Sequence, residues 1–338
     1  MSTTSNGFDI IPVPTEAGTH FPGQCKAPQA IIKAGGLQQK LRQHVNGDVN
    51  VHGEDEHGIL GNEIGALARW RPSEKVGGVR NLDNSLQVMR AAHHYLTSQT
   101  QRLDQSFPII LGGDCSITPA VFSAFNHWHE NKRLGLLYVD GDADLTLPSQ
   151  TSTEGSSGIL DSMVMTHLTR RDGGLQQMGE FSRPDGSALV TPENVVLFGF
   201  DPLQPATEHW VYLVENGFKC FTRPTVQQDP IRSAKKALEY LEEHVDIILL
   251  HFDVDVIDSG LFPLANYPHY AGLGFEKALS AINCFLQSEK VRGLVITEVN
   301  PNNDLGNHQV QIVGQTSTTM VQQLVNGIVS ALSVRFPP

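Results

Sequence analysis

The sequence predicts an α/β fold with a mainly parallel sheet covered by helices on both faces. Two observations carry this. Beyond residue 105, short apolar runs alternate with stretches of helical spacing, the pattern of parallel strands joined by crossover helices. Several of those runs also end in acids, as in LGLLYVDGDADL at residues 134–145, and open parallel sheets collect ligands at the carboxyl ends of their strands.

Taken in order, residues 1–7 look like a loose tail. Phe8–Val13 is a first strand candidate, stopped by Pro14. Ala30, Ile31, Ile32, Leu37 and Leu41 give helical spacing over 26–43. Residues 45–62 are polar and rich in Gly, His and acid, and are expected to form an exposed loop. Leu86, Val88, Met89, Ala92 and Leu96 predict a long helix over about 80–100. Strands are then expected at Pro108–Leu111, Gly135–Val139, Val195–Gly199, Phe218–Phe221, Asp246–Phe252 and Gly293–Val299. Helices are expected near 118–129, 159–170, 205–216, 231–243, 274–288 and 316–333. The Ser/Thr/Gly-rich stretch 146–158 follows the acids directly, so it is expected to be an active-site loop rather than a linker.

Composition bounds the function. The 338 residues are 40% hydrophobic and 18% charged, an ordinary globular balance. A net charge of −12 argues against nucleic acid and anionic membranes as partners and is compatible with a cationic substrate. Cys25, Cys115, Cys220 and Cys284 are scattered without a CxxC pair, so neither a disulfide framework nor a zinc ribbon is expected. No apolar signal region and no run of ~18 apolar residues occurs, which sets a cytoplasmic location as the expectation.

Four strand ends carry the chemistry. In LGGDCSITPA, Gly112 and Gly113 permit a sharp turn and Pro119 suits a first helical turn; read alone, Cys115 is an inert core residue there. Asp140, Asp142 and Asp144 repel one another and are costly to desolvate unless a cation offsets the cost, although an exposed acidic turn has the same letters. In IILLHFDVDVID (247–258), His251, Asp253 and Asp255 share one face if the strand persists. Acids on so apolar a strand point to a metal. In GLVITEVNP (293–301), Glu298 closes a strand, and either binds a cationic substrate or caps a turn.

Together, GGDCS (112–116), DGDAD (140–144), HFDVDVID (251–258) and EVNP (298–301) resemble the ureohydrolase signatures GGDHS, DAHAD, SFDVDxxDP and EVNP. APQAIIKAGGL (27–37) is similar to that family's early GPxxIRxAGL. The resemblance to arginases, agmatinases and formiminoglutamases spans most of the chain. It implies a single α/β/α domain over 1–338 with a roughly eight-stranded, mainly parallel sheet. It also implies a two-metal centre, usually manganese, whose bridging hydroxide attacks a guanidinium or amidine carbon. Carried over, Asp140 and Asp253 would bridge the metals, Cys115 and Asp144 would complete one, and Asp142 and Asp255 the other. Glu298 would sit near a small cationic guanidino or amidino substrate. Trimers or hexamers are the family's usual assemblies.

Both histidines of the signature are replaced, by Cys115 and Asp142, while the acids at 140, 144, 253 and 255 are kept. An altered metal site is the reading preferred to a dead one. Four carboxylates and two neutral imidazoles sum to −4; five carboxylates and a Cys115 thiolate would sum to −6, which two divalent ions leave at −2. That excess would hold cations firmly but raise the pKa of a bound water. It is relieved if Cys115 stays protonated, if one metal is missing, or if a cation lies nearby. His251, in place of the family's Ser, is a candidate to supply a proton, a positive charge or a metal bond, or to hydrogen-bond a ligand carboxylate. A thiolate favours zinc or iron at the Cys115 position, while the all-oxygen position suits manganese, magnesium or calcium, so one or two ions are expected.

The substrate loop departs too. Thr146 stands where arginases carry Asn. SGILDS, from Ser157 to Ser162, corresponds to the arginase SGNLHG, with Asp161 in place of a catalytic or proton-shuttling His. An acid there would bind a cationic group, act as a base or simply favour a helix N-terminus. Asp201, in LFGFDPLQPATEHW, is a substrate contact or an Asp-Pro turn. The leading expectation is a metal-dependent hydrolase of a linear C–N bond. A catalytically silent binding protein and a metal-dependent amide hydrolase are the alternatives.

Overall fold

The computed structural model describes residues 7–72, 75–151, 157–304 and 318–338. Its strands are β1 (Gly7–Val13), β2 (Asp48–Val51), β3 (Lys75–Val76), β4 (Val79–Arg80), β5 (Phe107–Gly112), β6 (Leu134–Val139), β7 (Val195–Phe198), β8 (Lys219–Phe221), β9 (Ile247–Asp253) and β10 (Val291–Thr297). Eight of them form one all-parallel sheet in the order β2-β1-β5-β10-β9-β6-β7-β8; β3 and β4 make a small antiparallel pair.

The strands form where apolar residues run on both faces. Along β9, Ile248, Leu250 and Phe252 enter one core and Ile247 and Leu249 the other, as side chains of period two require. Helices Pro230–His244, Phe275–Leu286 and Met320–Arg335 cover the first face, and Leu82–Ser98 and Thr118–Trp128 the second. The two-faced architecture therefore agrees with the sequence expectation.

Three expectations need correction. Asp48–Val51 lies in the stretch expected to be a loop but pairs with β1 as the sheet edge. An edge strand buries only part of its surface, and here Val49 supplies that while Asp48 is exposed. The helix expected over 26–43 is broken into a short turn, a π-helical turn at Ala30–Ala34 and the helix Leu37–His44. Gly36 takes φ 71° at the break, a conformation open to glycine. Residues 159–170 form a 3-10 turn at Asp161–Met163 and a short helix at Val164–Leu168. Most of the expected tail, residues 1–6, lies outside the described residues, as do 152–156 of the expected active-site loop and the first two residues of the helix expected at 316–333. No helix among the described residues is long and apolar enough to cross a membrane.

The strand order positions the site. β5, β10, β9 and β6 are consecutive neighbours, and being parallel they end on the same side. Thr297 pairs with Asp253, and Val139 with Phe252, so Asp140, Asp253 and Glu298 emerge at one level.

Candidate metal centre

The four loops leaving these strands enclose a cavity of about 210 Å³. Seven carboxylates line it: Asp140, Asp142, Asp144, Asp161, Asp253, Asp255 and Glu298. Cys115, Thr146 and Ser157 line it as well. The structure thus brings the six expected metal ligands to one place, with Asp161 and Glu298 beside them.

Backbone hydrogen bonds shape the loops. Asp140 Oδ1 accepts from the N–H of Asp142 at 2.7 Å, and Asp253 Oδ1 from that of Asp255 at 2.9 Å. The strand expected to carry Asp255 ends at Asp253; Val254–Val256 is a 3-10 turn. Asp255 therefore reaches the cavity by a turn, not by strand alternation, and its Oδ1 accepts from Gly141 N at 2.9 Å. Asp144 and Glu298 have φ of 47° and 64°. Such left-handed backbone is unfavourable for non-glycine residues and persists where the surroundings over-determine it. Glu298 N donates to Gly113 O at 2.8 Å and its carbonyl accepts from Asn266 N at 3.0 Å. Its Oε1 accepts from Cys115 N at 3.0 Å and its Oε2 from the Gln24 amide. Asp144 Oδ2 accepts from the Tyr138 hydroxyl.

Burial dominates the electrostatics. It pushes Asp140, Asp144 and Asp253 well above the carboxylate range, and repulsion among the acids adds to it. Asp161 and Glu298 are raised by the same causes, and Asp142 chiefly by burial. Among the described residues, no Lys or Arg lines the cavity. The Cys115 thiol is also pushed well up, by burial and then by Asp144 and Glu298. It lies 3.5 Å from the Asp161 carbonyl and 3.8 Å from Asp144 Oδ2, and donates to them.

The imidazole that faces the acids is not the expected one. His251 is fully buried, and burial lowers it to about 3, so near neutral pH it carries no charge. Its Nδ1 is 3.2 Å from Thr118 Oγ1 and its Nε2 3.5 Å from Thr297 Oγ1. Thr297 donates onward to Asp253 Oδ2 at 3.1 Å. The imidazole that pairs with an acid is His269, whose Nε2 lies 3.1 Å from Asp255 Oδ2. Burial alone would lower His269, but Asp255 outweighs it and the imidazole is raised; burial alone would raise Asp255, but His269 brings it below the usual value. His269 belongs to no spacing pattern with the strand acids, so nothing in the sequence marks it. Gln24 and Tyr138 were equally silent, since each sits in an ordinary helical or strand context.

Thr146 and Ser157 face the cavity, whereas Asp201 is not part of the lining; its Oδ1 accepts from Leu203 N at 3.2 Å in a turn. At the mouth, His20 and Tyr267 stack with ring centroids 6.1 Å apart.

The donor set suits a divalent cation. Donor atoms of Cys115, Asp253 and Glu298 lie within 4.8 Å of one another, as do those of Asp140, His251 and Asp253. Buried carboxylates without counter-charge are expensive, and hard cations take such oxygen-rich sites.

The arginase family's sequence profile matches residues 6–326. An arginase of Staphylococcus aureus strain MRSA252 is 28% identical over 311 residues, 91% of this chain and 95% of its own. Human arginase-1 is 26% identical over 310 residues, 89% of this chain and 87% of its own. Among solved structures, Entamoeba histolytica arginase in complex with L-ornithine matches with a TM-score of 0.76 at 19% identity, over 97% of this chain and 98% of that one. Formimidoylglutamase of Bacillus subtilis matches with a TM-score of 0.62 at 16% identity, over 98% and 88%. At such identities the structural likeness speaks for the fold.

Proposed function

This chain belongs to the arginase family, and on that footing we propose that it hydrolyses a C–N bond of a small guanidino or amidino compound with the help of a bound divalent metal. The observation that carries the reading is the convergence of seven carboxylates on one cavity that no Lys or Arg lines among the described residues. A structural cluster of acids would be paired with cations; here Asp255 alone has such a partner among the described residues, His269, and the other six are left for an ion and a cationic substrate.

Asp140 and Asp253 would hold ions on either side, Cys115 and Asp144 completing one position and Asp142 and Asp255 the other. Manganese is the ion proposed, with zinc or iron suited to the Cys115 position. Such an ion supplies the acidity that generates a nucleophile from water near neutral pH. The chain's own residues would do the rest. The cavity is smaller than the ~300–1,000 Å³ usual for drug-sized ligands, which fits a small substrate. Glu298 attracts its cationic group, and Thr146 and Ser157 offer hydroxyls to its polar end. The rings of His20 and Tyr267 form one wall of the entrance, suited to a planar cation. A carboxyl raised by burial, as Asp161 is, holds a proton that a departing amine can take. We further propose a homo-oligomer in the cytoplasm, a trimer or hexamer on light scattering.

The test is a screen of the manganese-, zinc- and iron-loaded protein against arginine, agmatine, guanidinobutyrate and formiminoglutamate. Release of urea, ammonia or formamide is expected from at least one. Absence of turnover in every metal-loaded form would overturn the hydrolase reading in favour of a silent binding protein.

A further inference from the structure

We propose that His269 is a metal ligand of this centre, supplying from the loop after β9 the imidazole that position 142 does not. The assignment rests on reading the centre as a metal site.

His269 is 3% exposed and lines the same cavity as Asp142 and Asp255. Its Nε2 lies 3.1 Å from Asp255 Oδ2. Two donor atoms bound side by side to one ion at ~2.0–2.2 Å sit ~3 Å apart, so this hydrogen-bonded pair can close on one ion once the ion displaces the proton between them. Asp255 is itself turned toward the cavity by Gly141 N. The imidazole is therefore aimed by a residue assigned to the metal.

The room for the ring is built by a glycine. A Cβ on Gly141 would lie 2.8 Å from His269 Cδ2 and 3.0 Å from both the carbonyl oxygen and Oδ1 of Asp255. Any side chain at 141 would displace the imidazole or the carboxylate, because the contact is with a ring packed in place. The ureohydrolase signature has Ala at this point, immediately before its His; this chain has Gly141 followed by Asp142. The small residue and the missing imidazole are thus adjacent in sequence, and His269 enters across them.

The loop holds the ring in position. His269 N donates to Ser259 Oγ at 3.2 Å, and its carbonyl accepts from Ser259 N at 2.8 Å. Tyr267 packs edge-on at 5.4 Å. Nδ1 is buried and has no hydrogen-bond partner among the described residues. Here the engaged nitrogen is the one facing the acids.

The experiment titrates Mn²⁺ and Zn²⁺ separately into metal-stripped full-length protein by calorimetry, with folding checked by circular dichroism. His269→Asn is expected to raise the dissociation constant by ~10- to 100-fold. Gly141→Ala keeps every donor atom but displaces the ring, and is expected to weaken binding likewise. Should Gly141→Ala fail to fold, a double variant decides. Asp142→His combined with His269→Asn returns the imidazole from the other side, and is expected to recover most of the affinity. Asp142→His alone is the control: a gain over the unaltered protein as large as the double variant's gain over His269→Asn would show that the two imidazoles act independently, and that result would overturn the proposal. Unchanged affinity in His269→Asn would overturn it too, while leaving the metal reading intact. Failure of the unaltered protein to bind either ion would overturn both.

Discussion

The ring of Tyr138 lies flat on that of His251, with centroids 4.6 Å apart and planes 7° from parallel. This pair forms a floor beneath the acids. From it the Tyr138 hydroxyl reaches Asp144, and His251 reaches Asp253 through Thr297. Asp144 and Asp253 are thus each tied to residues of the buried sheet.

Removing the floor should be costly. His251→Ala empties a fully buried site and strands Thr118 Oγ1, so a loss of ~2–4 kcal/mol is expected on urea unfolding. Tyr138→Phe keeps the stacking and removes only the bond to Asp144. It is expected to leave stability within about 1 kcal/mol and to weaken Mn²⁺ binding ~10-fold.

Cys115 should be unreactive in the folded protein. It is buried and its thiol is pushed well up, and only the thiolate attacks. Iodoacetamide at pH 8 followed by peptide mass analysis is expected to leave Cys115 unmodified until the chain is unfolded. Rapid labelling of the native metal-free protein would contradict its burial and its raised thiol.

His167 predicts an acid sensitivity separate from the metal centre. Burial lowers it to about 4, and its Nε2 accepts from Leu175 N at 3.3 Å, which requires the neutral ring. The unfolded chain binds this proton first, near its ordinary value of ~6.5. Its contribution is therefore complete above that pH and is lost as pH falls toward the folded value. About 2 kcal/mol should disappear between pH 6.5 and 5. In His167→Gln the slope of stability against pH over that interval should be shallower by one proton.

Gly113→Ala should damage both fold and centre. The added Cβ would fall 1.6 Å from Thr15 O, which is backbone and cannot rotate away. Gly113 O also accepts from Glu298 N, so any shift moves that residue. A loss of about 3 kcal/mol or more is expected on urea unfolding, together with weaker metal retention on gel filtration.

Metal removal gives the broadest test. Manganese at ~100 times its dissociation constant should add ~2.7 kcal/mol of stability. The melting temperature should then fall on chelation and recover on adding the ion. Asp253→Asn should abolish the difference.

The legibility of the chain follows from the range of the forces involved. β5, β6, β9 and β10 are buried along nearly their whole length, so each is written as an apolar run that needs no partner to recognise. β2 escaped because an edge strand buries so little. The acids were legible because each follows a strand end closely, and the strand order sets the four ends side by side. Asp255 reaches the cavity by a turn rather than by the strand alternation that singled it out.

Local chemistry along the chain determined that this protein is a parallel α/β fold with acids gathered at its strand ends and two family imidazoles missing from them. Only the tertiary structure decided which group faces those acids. His251, two residues from Asp253, is insulated by burial and stays neutral. His269, 14 residues beyond Asp255, is brought to hydrogen-bonding distance by a loop and admitted by the bare backbone of Gly141. Strand periodicity is a property of neighbours in sequence. A charge partner is set by distance in space, which the chain specifies only once it has folded.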